Sequence, residues 1–388
     1  LQNSVAHYYQ RASSADYLGV DPTRRSLTGT GGYVKVGRKG NAKWNFSETF
    51  TWSSPGFDLN DMGYMKETDY LMNETEIMYR QTDIWKIFRY NAFTLSQKNM
   101  WNYGGTPFSN NASLRWQSMT MNRYEWDVKE TFAWNWLDSR LLRGGPDVRF
   151  GSYFLTSAKF NTDKAKRMMF MLKYEGDHNF EGNRFNTISP SLTFRLGNHV
   201  YLSGQLDYAW NTDEMQYVAT TSPLSSSSLA PYYYVMGHMD QKTYGLTLKL
   251  QVNVTPDISI QFYGAPFTSI AKYDDFKLAA DTKSHTFENR FQRIDPDQLT
   301  YADGVYTIGE GAGQMPFRNP DFRFNEFRSN LVARWEYLPG STLYFVWEHR
   351  MSNRDNWYSS GWGSNLDRMW GLPATNTFMI KMNYWFNL

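Results

Sequence analysis

The sequence predicts an all-β protein, a transmembrane antiparallel up-and-down β-barrel of about sixteen strands over residues 1–388, and three observations carry that expectation. Aromatic residues make up 18% of the chain, with 15 Trp, 27 Tyr and 26 Phe, yet mean hydropathy is only -0.62. A barrel wall needs apolar character at every second residue and gathers Trp and Tyr where rings meet lipid headgroups, so both properties belong together there. Apolar and polar residues alternate with period two, as in strands with two unlike faces. Short turns and longer polar connections also alternate in order, as in barrels with turns facing the periplasm and loops facing outward.

Strands are expected near 5–17, 31–38, 42–53, 74–83, 88–101, 111–121, 124–136, 147–160, 166–175, 185–196, 199–211, 232–254, 258–270, 321–338, 341–352 and 375–388. Turn-forming residues separate them at 39–41, 122–124, 161–163, 196–198, 255–257 and 339–341. Longer connections fall at 54–72, 102–110, 137–146, 175–184, 212–231, 271–321 and 353–374. Alternation is clear where Leu246, Leu248, Leu250, Val252 and Val254 oppose Thr247, Lys249, Gln251 and Asn253. The segment 232–254 exceeds the roughly 9 to 11 residues that a crossing strand needs, so it is expected to project beyond the membrane. In the last strand Phe378, Ile380, Met382, Tyr384, Phe386 and Leu388 share one face. That row resembles the terminal insertion signal read by the barrel-assembly machinery, and it sets the C-terminus on the periplasmic side of a bacterial outer membrane. A large soluble sandwich or propeller is the alternative, but no blade repeat near 40 to 50 residues is present.

Several classes are set aside. A net charge of +2 offers no clustered basic surface for nucleic acid. The absence of cysteine suits passage through an oxidising periplasm in the unfolded state. No apolar run reaches the roughly 18 residues of a helical span. The chain starts at Leu1 without a signal peptide, from which upstream processing or truncation is expected.

The face opposite the apolar one carries Arg115, Asp127, Lys129, Arg195, Asp207, Lys249, Arg334, Glu336, Glu348 and Arg350. As a lumen lining, these charges select polar or charged solutes; alternatively they pair with one another and keep the interior wet. Two carboxylates interrupt apolar rows: Glu48 lies within WNFSETFTW and Glu130 within WDVKETFAW. A charge facing mid-membrane lipid is penalised, so either each strand bulges and turns its Glu inward, the favoured reading, or that face meets another protein. Catalytic signals are weak. None of the six His has a metal-ligand spacing or neighbours a nucleophile elbow, although His238 with Asp240, or His178 with Asp177, would have to serve a rim hydrolase. Asp58, Asn60 and Asp61 lack the full EF-hand spacing for calcium. No metal and no cofactor is expected.

Several segments then resemble a known family: YYQRASSADYLGVDPTRRSLTGTGGYVKVG, WNFSETFTWSSPGFDLNDMGYM, LRGGPDV, MGHMDQKTYGLTLKLQVNVTPDISIQFYGAPF, LVARWEYLPGSTLYFVWEHR and FMIKMNYWFNL. In this order they are similar to large Bacteroides-group outer-membrane proteins of unassigned function, in which a module similar to family 9 carbohydrate-binding domains precedes a long β-barrel. The resemblance implies that this chain corresponds to the C-terminal barrel portion of a larger barrel. It transfers no catalytic residue.

The expected function is that of an outer-membrane channel, transporter or surface-assembly component with a polar lumen. A structural or partner-binding barrel in an envelope complex is the alternative, and a rim hydrolase a distant third. Expected partners are outer-membrane lipid and lipopolysaccharide, the assembly machinery, envelope proteins and a polar or saccharide solute.

Overall fold

The computed structural model describes residues 7–9, 16–59, 65–224, 231–356 and 362–386. Their strands are, in order, β1 (Gly31–Arg38), β2 (Trp44–Ser53), β3 (Tyr70–Gln81), β4 (Phe88–Trp101), β5 (Pro107–Thr120), β6 (Glu125–Trp134), β7 (Trp136–Asp138), β8 (Val148–Phe150), β9 (Tyr153–Asn161), β10 (Met168–Asn179) and β11 (Arg184–Leu196). There follow β12 (Val200–Thr221), β13 (Tyr233–Asn253), β14 (Ile258–Ala279), β15 (Phe291–Arg293), β16 (Leu299–Ala302), β17 (Val305–Ile308), β18 (Met315–Arg318), β19 (Phe322–Leu338), β20 (Ser341–Asp355) and β21 (Thr375–Asn383), with one helix, α1 (Trp362–Trp370), before the last strand.

Sixteen of these strands form one antiparallel sheet. Fifteen run in a row, β1 to β6, β9 to β14 and β19 to β21, each paired with its neighbours along the chain; β15 pairs beside β14. The up-and-down order is therefore as expected from the turn pattern. The sheet is not closed: among the described residues β1 pairs only β2, and β21 pairs only β20. No helix among the described residues is long and apolar enough to cross a membrane.

One end of the sheet, the turn end, has only short connections, whereas the other, the loop end, carries all the long ones together with two short ones. At the turn end, Gly197 and Gly340 have φ of +65° and +79°, a left-handed backbone that glycine adopts without cost. Two expected long connections, 102–110 and 175–184, are in fact tight: β4 reaches Trp101 and β5 starts at Pro107, while β10 runs to Asn179 and β11 starts at Arg184. Polar residues such as Asn110 and Asp177 belong to the strands and not to loops.

The expected strand 5–17 is corrected. His7–Tyr9 is not extended into the sheet, and Asp16–Leu18 is a turn of 3-10 helix. Both pieces pack at the loop end: the His7 ring bonds the Pro55 carbonyl at 3.0 Å, and the Tyr17 hydroxyl donates to Asp69 at 2.9 Å. The expected strand 147–160 divides, since β8 pairs with β7 in a separate hairpin and only β9 joins the row.

The projection expected for 232–254 involves three strands. β12, β13 and β14 have 22, 21 and 22 residues, and their upper halves bury Val235, Met239, Ala271, Tyr273, Phe276 and Leu278 against Ile308 and Phe317 of the small β16–β18 sheet. A second cluster joins Leu142, Val148, Met215, Met236 and Phe291. These apolar cores sit at the loop end. Between them and the turn end, burial is inverted: in β2, Asn45 and Ser47 are 7% and 5% exposed, whereas Trp44 and Phe46 are 59% and 53% exposed.

Candidate functional site

Strand register settles which side chains share a face, because directly opposed residues point the same way. Lys129 opposes Ser157, and the ladder continues through Glu175, Thr187, Ala209, Thr243, Ser269, Phe324 and Arg354. Arg115 opposes Lys129. The other candidates stand an even number of positions from this line along unshifted stretches of their strands. All ten charged candidates therefore occupy one continuous polar face.

Much of that charge is internally paired. The Arg115 guanidinium donates to both carboxylate oxygens of Asp127, through Nε at 2.7 Å and through Nη2, and Gln117 adds a bond at 3.2 Å. Arg334 donates to Glu336 at 2.6 Å, whose other oxygen takes the Gly340 amide at 3.1 Å across the tight turn. Asp207 accepts from Ser189 at 2.6 Å and Gln205 at 2.9 Å. Arg195 donates to the Lys164 carbonyl at 3.3 Å. Lys249 lines a hollow of about 310 Å³ with Tyr201, Gln261, Tyr263 and Asn330, and Glu348 stands opposite Asn330 and Thr377.

Sequence reasoning missed the acid that organises the last of these charges. Glu326 accepts from Arg350 and from Arg328, both at 2.9 Å. Its partners lie 24 residues ahead and two residues ahead, and only the β19–β20 register brings the first of them alongside. Lys173 and Glu175, 2.7 Å apart on the same face, were also overlooked.

Glu48 and Glu130 are the corrected candidates. The register is unbroken through both positions, with Glu48 between Val36 and Thr75 and Glu130 between Leu114 and Thr156, so no bulge turns either one inward. Each stays exposed on the apolar face and takes a hydroxyl hydrogen bond from the next strand, Thr75 at 2.6 Å for Glu48 and Thr156 at 2.7 Å for Glu130. Asn73 also donates to Glu48. In the terminal row, Phe378, Ile380 and Met382 are exposed on the strand, and Phe378 stacks on Trp347 with centroids 6.0 Å apart. Tyr384 and Phe386 follow the end of β21, and Leu388 lies outside the described residues.

A cavity of about 820 Å³ opens at the loop end of the polar face between β1–β5 and the connections folded over it. Tyr8, Tyr33, Tyr70 and Trp136 give it rings, and Lys98 and Glu67 give it charge. Glu67 is held by Tyr8 at 3.2 Å and by Arg140 at 3.1 Å. Beside it burial pushes the Asp69 carboxyl above its ordinary value, although the Tyr103 amide and Tyr17 hydroxyl oppose the shift.

The histidines do not form a catalytic set. His238 contacts Glu214 at 3.1 Å and Asp240 at 3.6 Å; burial lowers its basicity, but the surrounding Glu214, Asp240 and Asp274 outweigh it and raise the pKa. His178 bonds Asn186 at 2.9 Å and not Asp177. Among the described residues no serine hydroxyl bonds either ring, and no three potential metal ligands cluster. Of the calcium candidates, Asp58 lies 3.5 Å from His7, while Asn60 and Asp61 fall outside the described residues.

No curated protein and no solved structure matches the chain. Residues 3–388 match the model of a domain of unknown function, DUF5916, and the chain belongs to that family.

Proposed function

We propose that the chain forms the wall of an outer-membrane β-barrel, with its apolar face toward lipid and its polar face toward a wet interior, acting as a channel, transporter or surface-assembly component for polar solutes. The observation that supports this is the inverted burial: exposed Trp44, Phe46, Leu95, Leu114 and Phe378 on one face, buried Asn45, Ser47, Ser113 and Thr131 on the other. A water-soluble fold arranged so would leave its main apolar surface in solvent, far beyond the few hundred Å² that soluble proteins tolerate. In this reading the tight turns and the C-terminal end of β21 face the periplasm, and the β12–β14 extension stands outside the cell. The 820 Å³ cavity, with rings beside charged groups, suits a polar or saccharide solute at the outer mouth.

Conductance of the full-length protein in planar bilayers, with oligosaccharides as blockers, is the test. Stable conductance reduced by an oligosaccharide is the expected result. Protein that resists urea extraction from vesicles but passes no current would remove the pore, and protein that does not float with vesicles would remove the membrane itself. The partner-binding alternative draws support from Glu48 and Glu130, which put polar, hydrogen-bonded groups into an otherwise apolar surface.

A further inference from the structure

On the polar face of β5, β6, β9 and β10 the register forms two adjoining rows. In one, Gln117, Asp127, Lys159 and Lys173 stand opposite one another in turn; in the next, Arg115, Lys129, Ser157 and Glu175 do. Each row sets two cations side by side, Lys159 with Lys173 and Arg115 with Lys129. Like charges directly opposed across a strand pair destabilise a sheet.

The carboxylates close by are already committed. Asp127 accepts from Arg115 at 2.7 Å and from Gln117 at 3.2 Å. Glu175 pairs with Lys173 at 2.7 Å. Glu125, one row nearer the turn end, holds Lys164 and accepts from Asn161 at 3.3 Å. Among the described residues no carboxylate lies within ion-pair distance of the Lys129 or Lys159 amine, and both residues are exposed. A contrast stands on the same face. Arg328 also opposes Arg350, but there Glu326 contacts both at 2.9 Å, so the sheet supplies the anion that two neighbouring cations call for.

We propose that Lys129 and Lys159, with the Ser157 hydroxyl beside them, form a station for the oxyanion of a solute, a carboxylate or phosphate group, moving along the polar face. This deepens the channel reading given above and takes the wet interior from it. The two lysines are diagonal neighbours on adjacent strands, a spacing of roughly 7–8 Å that long side chains bridge. Their ammonium groups only donate hydrogen bonds, and the serine hydroxyl adds another donor, so the constellation suits an acceptor-rich, negatively charged group better than a neutral sugar. Exposure keeps each contact weak, and a solute that binds there also leaves, as passage requires.

Amine acetylation of the folded full-length protein in detergent, read residue by residue by mass spectrometry at fixed pH and ionic strength, tests the station without a membrane. Two exposed pairs imply millimolar binding, so about 10 mM inorganic phosphate should slow acetylation of Lys129 and Lys159 roughly threefold. Glucuronate should do the same, and glucose should not. Lys249 shares the polar face but stands between Ser203 and Tyr263 with no cation opposite, so its rate should stay constant. Lys129→Gln should abolish the protection of Lys159, and Lys129→Arg should keep it. Unchanged rates at both lysines, equal slowing at Lys249 or equal slowing by glucose would each overturn the station, as would full protection of Lys159 in Lys129→Gln. Planar-bilayer conductance of the same preparation reports on the channel separately. Protection in protein that passes no current would retain the station and remove only the channel, whereas current without protection would overturn the station.

Discussion

Replacing Arg290 by Met should release the segment that lies over the loop end. The Arg290 side chain is 1% exposed and its partner Glu181 12%. The guanidinium donates to Glu181 at 2.7 and 2.9 Å, to the Arg149 carbonyl at 2.7 Å, to the Ser284 carbonyl at 2.8 Å and to the His285 carbonyl at 3.3 Å. It thereby ties residues 284–290 to β8 and to the 180–183 turn. In Arg290→Met these acceptors lose their donor, and the Glu181 carboxylate keeps only the Gly151 amide at 2.9 Å. Removing one partner of a buried pair costs about 3–5 kcal/mol. At about 1.4 kcal/mol per factor of ten, local opening should rise roughly 10² to 10⁴-fold. Deuterium exchange of residues 276–294 reads that opening directly, and protease cleavage there provides an independent measure. Glu181→Leu combined with Arg290→Met should recover most of the loss, because an apolar pair of similar volume has no uncompensated charge. Exchange in Arg290→Met within a factor of two of the parent would refute the reasoning, as would a double variant no better than the single one.

Three further outcomes are expected. Glu326→Gln frees Arg328 and Arg350 from their shared acceptor, so reversal potentials across a salt gradient should move toward anion preference, while Arg350→Gln should move them the other way; unchanged potentials in both would show that this part of the polar face does not see the permeating ion. On the membrane reading, Glu48→Leu and Glu130→Leu should each raise the free energy of unfolding in lipid, read from urea titration, by up to roughly 2 kcal/mol, because a carboxylate on a lipid-facing strand is penalised; a lowered unfolding free energy would count against lipid on that face. Because the folded-state pKa of His238 lies above 6.5, its stabilising effect is complete below that pH and is lost as pH rises through the raised value. Exchange in the upper parts of β12 and β13 should therefore be slower at pH 6 than at pH 9 after correction for intrinsic rates, with the difference gone in His238→Gln.

Alternation was enough to read most of the row from the sequence. Rows such as Leu246 to Val254 have an unmistakable phase, and a phase error of one residue would invert both faces. The height of β12 and β14 was not legible for the same physical reason. Register shifts between Asp213 and Gln216, and between Tyr217 and Ala219, break the parity of β12 where the extension begins. Above it, Val235, Met239 and Phe276 face a protein core, so the two-faced pattern no longer applies. The bulges assigned to Glu48 and Glu130 failed because sequence supplies the cost of a carboxylate but not its relief. Thr75 and Thr156 reach those acids only through strand pairing, from 27 and 26 residues away. Glu326 escaped notice likewise, since nothing near it in sequence reveals two arginines converging on one oxygen.

The unequal strand lengths have a consequence for approach from the loop side. At about 3.3 Å per residue, β12–β14 rise roughly 70 Å, whereas β6 and β9 rise roughly 30 Å. The sheet itself is thus tall on one flank and short on the other, and over the short flank the 135–152 connection folds across, with Trp136–Arg140 walling the cavity that also takes in Tyr8. If the channel proposed above is formed, large molecules would reach the aromatic hollow more readily from the side of the short strands, and the side of arrival would count beside size and charge.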